Sequence, residues 1–294
     1  MQLHLRGITA VRTRNVSRAR LLLVLGFPMA MTQAENIDPA NDSSQYSYGE
    51  NVGWINAEPL GNGGPGVQVT DFSLTGWMWA ENIGWISLSC ENTSSCAAAQ
   101  YAVRNTCAGV LSGYAWSENA GWINFDPSTS DVTVDPVSGN FNGYAWAENV
   151  GWISLSCENT STCGAAPYKV RTSWTPSGAA PAGTPTLMLG RSGSNTVLLS
   201  SVTPAAPAYD LVRGDLIQLR ITGGDFTLAT QGCLAENHIF TSRLFSSVPP
   251  VGQGFWFLTR TVNCAGGGTY NTGVPSQVGS RDSEIASSAN SCLP

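Results

Sequence analysis

Residues 143–153 read G-Y-A-W-A-E-N-V-G-W-I, and the chain repeats these words three more times. They return at 113–123 as G-Y-A-W-S-E-N-A-G-W-I and at 76–86 as G-W-M-W-A-E-N-I-G-W-I, with a worn copy at 46–55, Y-S-Y-G-E-N-V-G-W-I. The second Trp of each phrase falls at Trp54, Trp85, Trp122 and Trp152, spaced by 31, 37 and 30 residues. A period in this range marks a repeat architecture. A residue used four times at one position reads as a building block before it reads as a catalyst.

Inside a phrase the period is two. Asn142, Tyr144 and Trp146 share one strand face, and Phe141, Gly143 and Ala145 share the other. The run Ala-Glu-Asn-Val-Gly then supplies turn residues, and Trp152-Ile153-Ser154-Leu155 begins a return strand. A third short strand precedes the phrase at Val132-Thr133-Val134, before a turn at residues 135–139. Tyr101-Ala102-Val103 and Tyr168-Lys169-Val170 take the equivalent place after the cysteine loops. No window carries a helical period. The fold class is therefore all-β. Three short strands cannot bury their own apolar face, so the units must stack or close on one another. A β-solenoid or a flattened two-sheet stack is the expected form, with a small propeller as the alternative.

The aromatic face, Tyr114, Trp116 and Trp122 in one copy and Tyr144, Trp146 and Trp152 in the next, reads first as a packed seam between repeats. Its second reading is an exposed platform on which sugar rings stack. The paired acids and amides of the turns, Glu50-Asn51, Glu81-Asn82, Glu118-Asn119 and Glu148-Asn149, read as structural, each Glu bracing its turn by accepting backbone N–H groups. Paired carboxylates of the glycosidase kind are the weaker reading, because all four acids occupy one repeat position. A calcium ladder needs six or more oxygens, and only two per repeat are visible.

The first 34 residues have a different vocabulary. Arg6, Arg12, Arg14, Arg18 and Arg20 form a basic stretch, and residues 21–31 are an apolar run too short to span a bilayer. Small residues follow at 32–34, so a secretory signal peptide cleaved after Ala34 is expected, with no transmembrane segment left once it is removed. Beyond residue 34 nine basic residues face all twenty acidic ones, a net charge of about −11. That balance excludes nucleic acid and anionic membrane surfaces as partners.

All eight cysteines follow residue 34, and an even count in an exported chain reads as disulfides. Cys90 and Cys96 bracket E-N-T-S-S, and Cys157 and Cys163 bracket E-N-T-S-T, so two local bridges are expected. Zinc fails on ligand count, because each loop offers two Cys and no nearby His. The remaining four allow three pairings, of which Cys233 with Cys292, tying the chain end to its domain, is the expected one. Cys107 and Cys264 then either pair across the domains or stay free.

Composition divides the chain further. Residues 35–45 are a polar, loose lead-in, and residues 46–174 hold the four copies with nine of the ten tryptophans. Residues 175–184 are a Pro/Gly/Ala linker, and residues 185–294 form a second domain. In it, residues 196–200, 209–213 and 254–263 read as strands, the last before a Gly-rich turn, while 231–252 reads as irregular.

On these residues two resemblances stand. The phrase G-Y-A-W-x-E-N-x-G-W-I, with C-E-N-T-S-x-C after it, resembles the tryptophan-rich repeats of exported bacterial proteins over residues 46–174. The resemblance implies secretion and a bacterial source, and no defined activity. Residues 185–294 resemble a fibronectin type III-like sandwich, which implies a spacer or interaction module.

Chemistry is sparse. His238 is the one histidine beyond the leader, and no nucleophile or partner spacing around it makes a triad. Arg213-Gly214-Asp215 spells an adhesion tripeptide but falls at a strand end. The expectation is a non-enzymatic, secreted or cell-surface structural or adhesive protein without cofactor or metal. Its partners are extracellular glycans or other surface proteins, and a carbohydrate-binding module is the alternative.

Overall fold

The computed structural model describes residues 36–59, 66–203, 207–277 and 279–293; the expected signal segment, 1–34, lies outside them. Each phrase folds into one β-hairpin. The first is β1 (Tyr46–Gly49) with β2 (Gly53–Asn56). After β3 (Gln68–Val69) and β4 (Ser73–Thr75) comes the second, β5 (Trp77–Ala80) with β6 (Gly84–Ser87). After β7 (Val103–Arg104) comes the third, β8 (Ser112–Ser117) with β9 (Gly121–Asn124). After β10 (Thr133–Val134) and β11 (Phe141–Asn142) comes the fourth, β12 (Tyr144–Ala147) with β13 (Gly151–Ser154). The Glu-Asn pair sits at each hairpin tip, and the Gly that follows takes a left-handed φ, 83° at Gly151, which a residue with a Cβ rarely adopts.

The hairpins neither stack as a solenoid nor lie as two flat sheets. They pair in sequence order, β2 with β5, β6 with β8 and β9 with β12, and the last returns to the first through β13 and β1. The result is a closed, antiparallel, eight-stranded barrel, with β3, β4 and β7 extending the sheet beyond the ring. Closure removes the open edges that a stack would leave.

Large and small side chains alternate across every seam of this barrel. Ile55 lies opposite Ala80, Ile86 opposite Ser117, Ile123 opposite Ala147 and Ile153 opposite Gly49. An eight-stranded barrel has an interior just wide enough for side chains of this size. The four isoleucines line a residual void of only about 10 Å³, so the interior is a packed core and not a lumen. Tryptophans do not fit there. The aromatic face is therefore turned outward, and the expectation of a packed seam between repeats is corrected: Trp54, Trp122 and Trp152 are 50%, 45% and 42% exposed.

Below the barrel, Leu74, Leu88, Phe125, Phe141, Leu155 and Val170 continue the same core. Ile37 belongs to it, with Asp38 and Ser44 buried beside it, so residues 36–45 are a tethered segment in which only 39–43 are exposed. Ile37 is fully buried and bridges to Thr172, while the Asn36 side chain both donates to the Val69 carbonyl and accepts from its N–H, at 3.1 and 2.8 Å.

Residues 185–293 contribute two antiparallel sheets. β14 (Leu187–Ser192) and β15 (Asn195–Ser200) form the first with β18 (Ser242–Phe245). The second has the order β17 (Thr230–His238), β16 (Ala208–Asp215), β19 (Phe255–Asn263), β20 (Gly266–Gly267). Leu198, Leu211, Ala235 and Phe245 pack between them. Most of the stretch expected to be irregular, 231–252, is thus strand β17 and β18. Three short helices were not legible: α1 (Leu216–Ile221), α2 (Phe226–Ala229) and α3 (Arg281–Ala286). Phe226 and Ile285 from α2 and α3 cover Trp256 and Val212 on the second sheet. Asp215 caps α1 by accepting from the Ile217 and Gln218 N–H groups, so the Arg213-Gly214-Asp215 tripeptide is committed to strand and cap.

Four disulfides are formed: Cys90–Cys96, Cys157–Cys163, Cys233–Cys292 and, between the domains, Cys107–Cys264. Beside the last, the buried Asp71 carboxylate accepts from Trp174 Nε1 at 3.0 Å, from the Cys264 N–H at 2.8 Å and from the Ser177 N–H. Residues 175–184 are tied down along their length, at Ser177 by Asp71, at Ala179, whose carbonyl accepts from Asn263 Nδ2 at 2.6 Å, and at Thr184, whose hydroxyl donates to the Asn271 carbonyl at 3.1 Å. Ile239 and Phe240 pack on Cys96 and Tyr101 to complete it.

Candidate functional site: an aromatic groove on the barrel wall

The outward face of each hairpin carries rings in a fixed relation. Opposite residues of the two strands form edge-to-face pairs: Tyr48 with Trp54 at 5.1 Å, Trp79 with Trp85 at 4.8 Å, Trp116 with Trp122 and Trp146 with Trp152 both at 4.7 Å. This is the arrangement that ring quadrupoles favour, worth about 0.5–1.5 kcal/mol per pair beyond area burial. The strand period sets all these rings on one side, and the barrel interior leaves them no other place.

Where hairpin 4 meets hairpin 1 the rings converge on a groove of about 1180 Å³. Tyr144, Trp146 and Trp152 line it from one hairpin and Tyr48 and Trp54 from the other. Tyr168 joins them from the extended segment after the second cysteine loop, with its ring 5.5 Å from Trp54 and nearly perpendicular to it. One wall is the segment at Thr129 and Ser130, and the other is the cysteine loop at Thr160 and Thr162. Both walls are fastened. Ser130 Oγ accepts from the Tyr144 N–H at 3.0 Å. Asn159, inside the Cys157–Cys163 loop, accepts from the Gly143 N–H at 3.0 Å and donates to the Gly143 carbonyl at 2.7 Å. A ligand therefore meets a wall already in place, so little ordering has to accompany binding.

The polar groups of the groove are hydroxyls, the Asn51 amide and the Glu50 carboxylate; among the described residues no Lys, Arg or His side chain lines it. Burial, and then the neighbouring Tyr168 phenol, holds the Tyr144 hydroxyl above its ordinary range, so it remains a neutral donor, given to the Asn159 carbonyl at 2.8 Å. Flat apolar faces bordered by hydroxyls, an amide and a single carboxylate suit a ligand with apolar faces and hydroxyl edges.

Of the six ring residues singled out from the sequence, Tyr144, Trp146 and Trp152 enter the groove, and Tyr114, Trp116 and Trp122 lie on hairpin 3, away from it. Tyr48, Trp54 and Tyr168 were missed. The worn first copy hid the first two, and nothing local signals that it neighbours the last copy.

The turn residues divide by role. Each Asn donates from Nδ2 to a backbone carbonyl in the tip of the preceding hairpin: Asn82 to Val52 at 2.9 Å, Asn119 to Ile83 at 3.2 Å, Asn149 to Ala120 at 3.1 Å and Asn51 to Val150 at 3.1 Å. The four bonds form a closed ring around one end of the barrel. Glu50, Glu81, Glu118 and Glu148 are exposed and make no hydrogen bond or ion pair among the described residues, so the bracing assigned to them belongs to the asparagines. His238 ends strand β17, with Nε2 3.0 Å from the Ser242 carbonyl and its ring edge-on to Phe240. No helix among the described residues is long and apolar enough to cross a membrane.

No protein-family model matches the chain, and no curated protein matches it.

Proposed function

We propose that this chain is an extracellular adhesive protein that holds an uncharged polysaccharide in the groove between hairpins 1 and 4. The observation that carries the reading is the convergence of six aromatic side chains on one open groove whose polar groups are hydroxyls, an amide and the Glu50 carboxylate, with no cation among the described residues. Sugar rings offer C–H faces for stacking and hydroxyl rims for hydrogen bonds, and the groove supplies partners for both. The absence of Lys and Arg from its lining disfavours acidic sugars.

Location and architecture fit the same reading. Four disulfides accord with an oxidising compartment. The second domain, three strands facing four in the order β14-β15-β18 over β17-β16-β19-β20, supports the fibronectin type III-like reading, with the helical cover of its outer face as a departure. Such a domain serves as a spacer or interaction module. The repeat family of exported bacterial proteins remains the reading of the phrase itself.

The test is a glycan array and a pull-down on insoluble neutral polysaccharides with the mature protein and with the Trp54→Ala, Trp152→Ala double variant. Retention by the wild type and its loss in the variant is expected. A wild type that binds no glycan, or a double variant that binds as well as the wild type, would overturn the assignment.

A further inference from the structure

The barrel has an internal two-fold relation. Hairpins 2 and 4 are each followed by the cysteine loop, and the extended segment after each loop lays a Tyr on the next hairpin in the ring. Tyr168 meets Trp54 at 5.5 Å and 79°, and Tyr101 meets Trp122 at 5.2 Å and 76°. The first cysteine loop repeats the second in its fastening as well: Asn92 accepts from the Gly76 N–H at 3.1 Å and donates to the Gly76 carbonyl at 2.6 Å, as Asn159 does with Gly143. The seam between hairpins 2 and 3 is thus the counterpart of the seam that carries the groove.

From this we infer that the seam between hairpins 2 and 3 is a second site for the same uncharged saccharide, which makes the molecule bivalent. The inference rests on the saccharide reading of the groove. Trp79, Trp85 and Trp122 occupy the places of Trp146, Trp152 and Trp54, and Trp77 replaces Tyr144. Trp79 and Trp122 remain 37% and 45% exposed, although the packing of the barrel interior makes no use of them. Large rings left half open on both related seams, each beside a fastened loop with hydroxyls at Thr93 and Ser95 or Thr160 and Thr162, mark surfaces shaped for a partner. The two sites differ in surroundings. Ile239 and Phe240 of the second domain pack on Tyr101 beside the second seam, so the domain junction borders this site and not the first.

Two sites on opposite seams of one rigid barrel link two chains of a polysaccharide or grip one chain twice. On an insoluble polymer such pairing raises retention by about a hundredfold or more over a single site.

The decisive measurement is isothermal titration calorimetry of the mature full chain with cellohexaose and with N-acetylchitohexaose, together with retention on the matching insoluble polymers. Two sites per chain are expected for the hexasaccharide that binds. Trp54→Ala and Trp122→Ala should each leave one site, and each should lower retention on the polymer at least about tenfold. The wild-type stoichiometry decides without any variant, and mapping of the four disulfides shows that each variant is folded. One site per chain, lost in Trp54→Ala and kept in Trp122→Ala, would overturn the second site and leave the groove standing. No binding of either hexasaccharide and none on a glycan array would remove both.

Discussion

The side-chain amide of Asn51 donates to the backbone carbonyl of Val150, ninety-nine positions away in sequence, and so joins the first hairpin tip to the last. The neighbouring Glu50 makes no such bond. Replacing Asn51 with Ala removes one net hydrogen bond and leaves a carbonyl without its donor, a loss of about 0.5–1.5 kcal/mol. Glu50→Ala should change stability by no more than about 0.5 kcal/mol. Urea unfolding of the two variants makes the comparison, and equal losses would return the structural role to the acid.

Trp152→Ala should destabilise by about 1–2 kcal/mol, less than the 3–5 kcal/mol of a fully buried aromatic, because the ring keeps its edge-to-face partner Trp146 but is 42% exposed. Acrylamide quenching provides the matching observation. Wild-type tryptophan emission should be strongly accessible, and weak quenching would contradict the outward placement of the rings.

Gly143→Ala should cost at least about 3 kcal/mol. Its φ is 88°, and an added Cβ would collide with the Asp131 carbonyl oxygen. Gly164, in the second cysteine loop, has open space around it, so Gly164→Ala should stay within about 0.5 kcal/mol of wild type. Thermal melts of the pair separate a backbone requirement from mere composition.

At the domain junction, Asp71→Ala strands the Trp174 indole and the Cys264 N–H without an acceptor. A loss of about 3–5 kcal/mol is expected even with the Cys107–Cys264 bridge intact. Calorimetry should then resolve two transitions, where a single one is expected for the wild type. A single unshifted transition would mean that the bridge alone holds the domains.

Burial holds the His238 imidazole below its ordinary value of 6.5, with Arg243 and Arg104 acting in the same direction and the Ser242 carbonyl opposing. The folded state thus favours the neutral ring. The stability this contributes is complete above the unfolded-state value and is lost as the pH falls below it. The melting temperature should drop as the pH falls through and below 6.5, and His238→Gln, which keeps a donor for Ser242, should flatten that slope. An unchanged slope in the variant would assign the effect to other groups.

The hairpins, their tips and the two short disulfide loops were legible because each is encoded within about twenty residues, by alternation, turn chemistry and matched spacing. Closure was not. The β1–β13 pairing joins residues about a hundred positions apart, and nothing in Tyr48 or Ile153 announces the partner. The period of two correctly grouped Tyr144 with Trp146 and set Ala145 apart, but it left open which face turned inward. Interior width decides that: a ring of four isoleucines opposite Ala, Ser and Gly fills an eight-stranded barrel, and four tryptophans would burst it. The helices of the second domain were obscured for another reason. α2 is four residues long, shorter than any window in which a period of 3.6 can be seen.

The groove is built from the first hairpin and the last, so it does not exist on a growing chain. A polypeptide arrested before hairpin 4 leaves β1 and β9 without their partners and lacks Tyr144, Trp146, Trp152 and Tyr168, so this groove is not yet built. On the proposed reading, binding at this groove is therefore a certificate of completion: only a molecule synthesised through Tyr168 and sealed along the β1–β13 seam carries it.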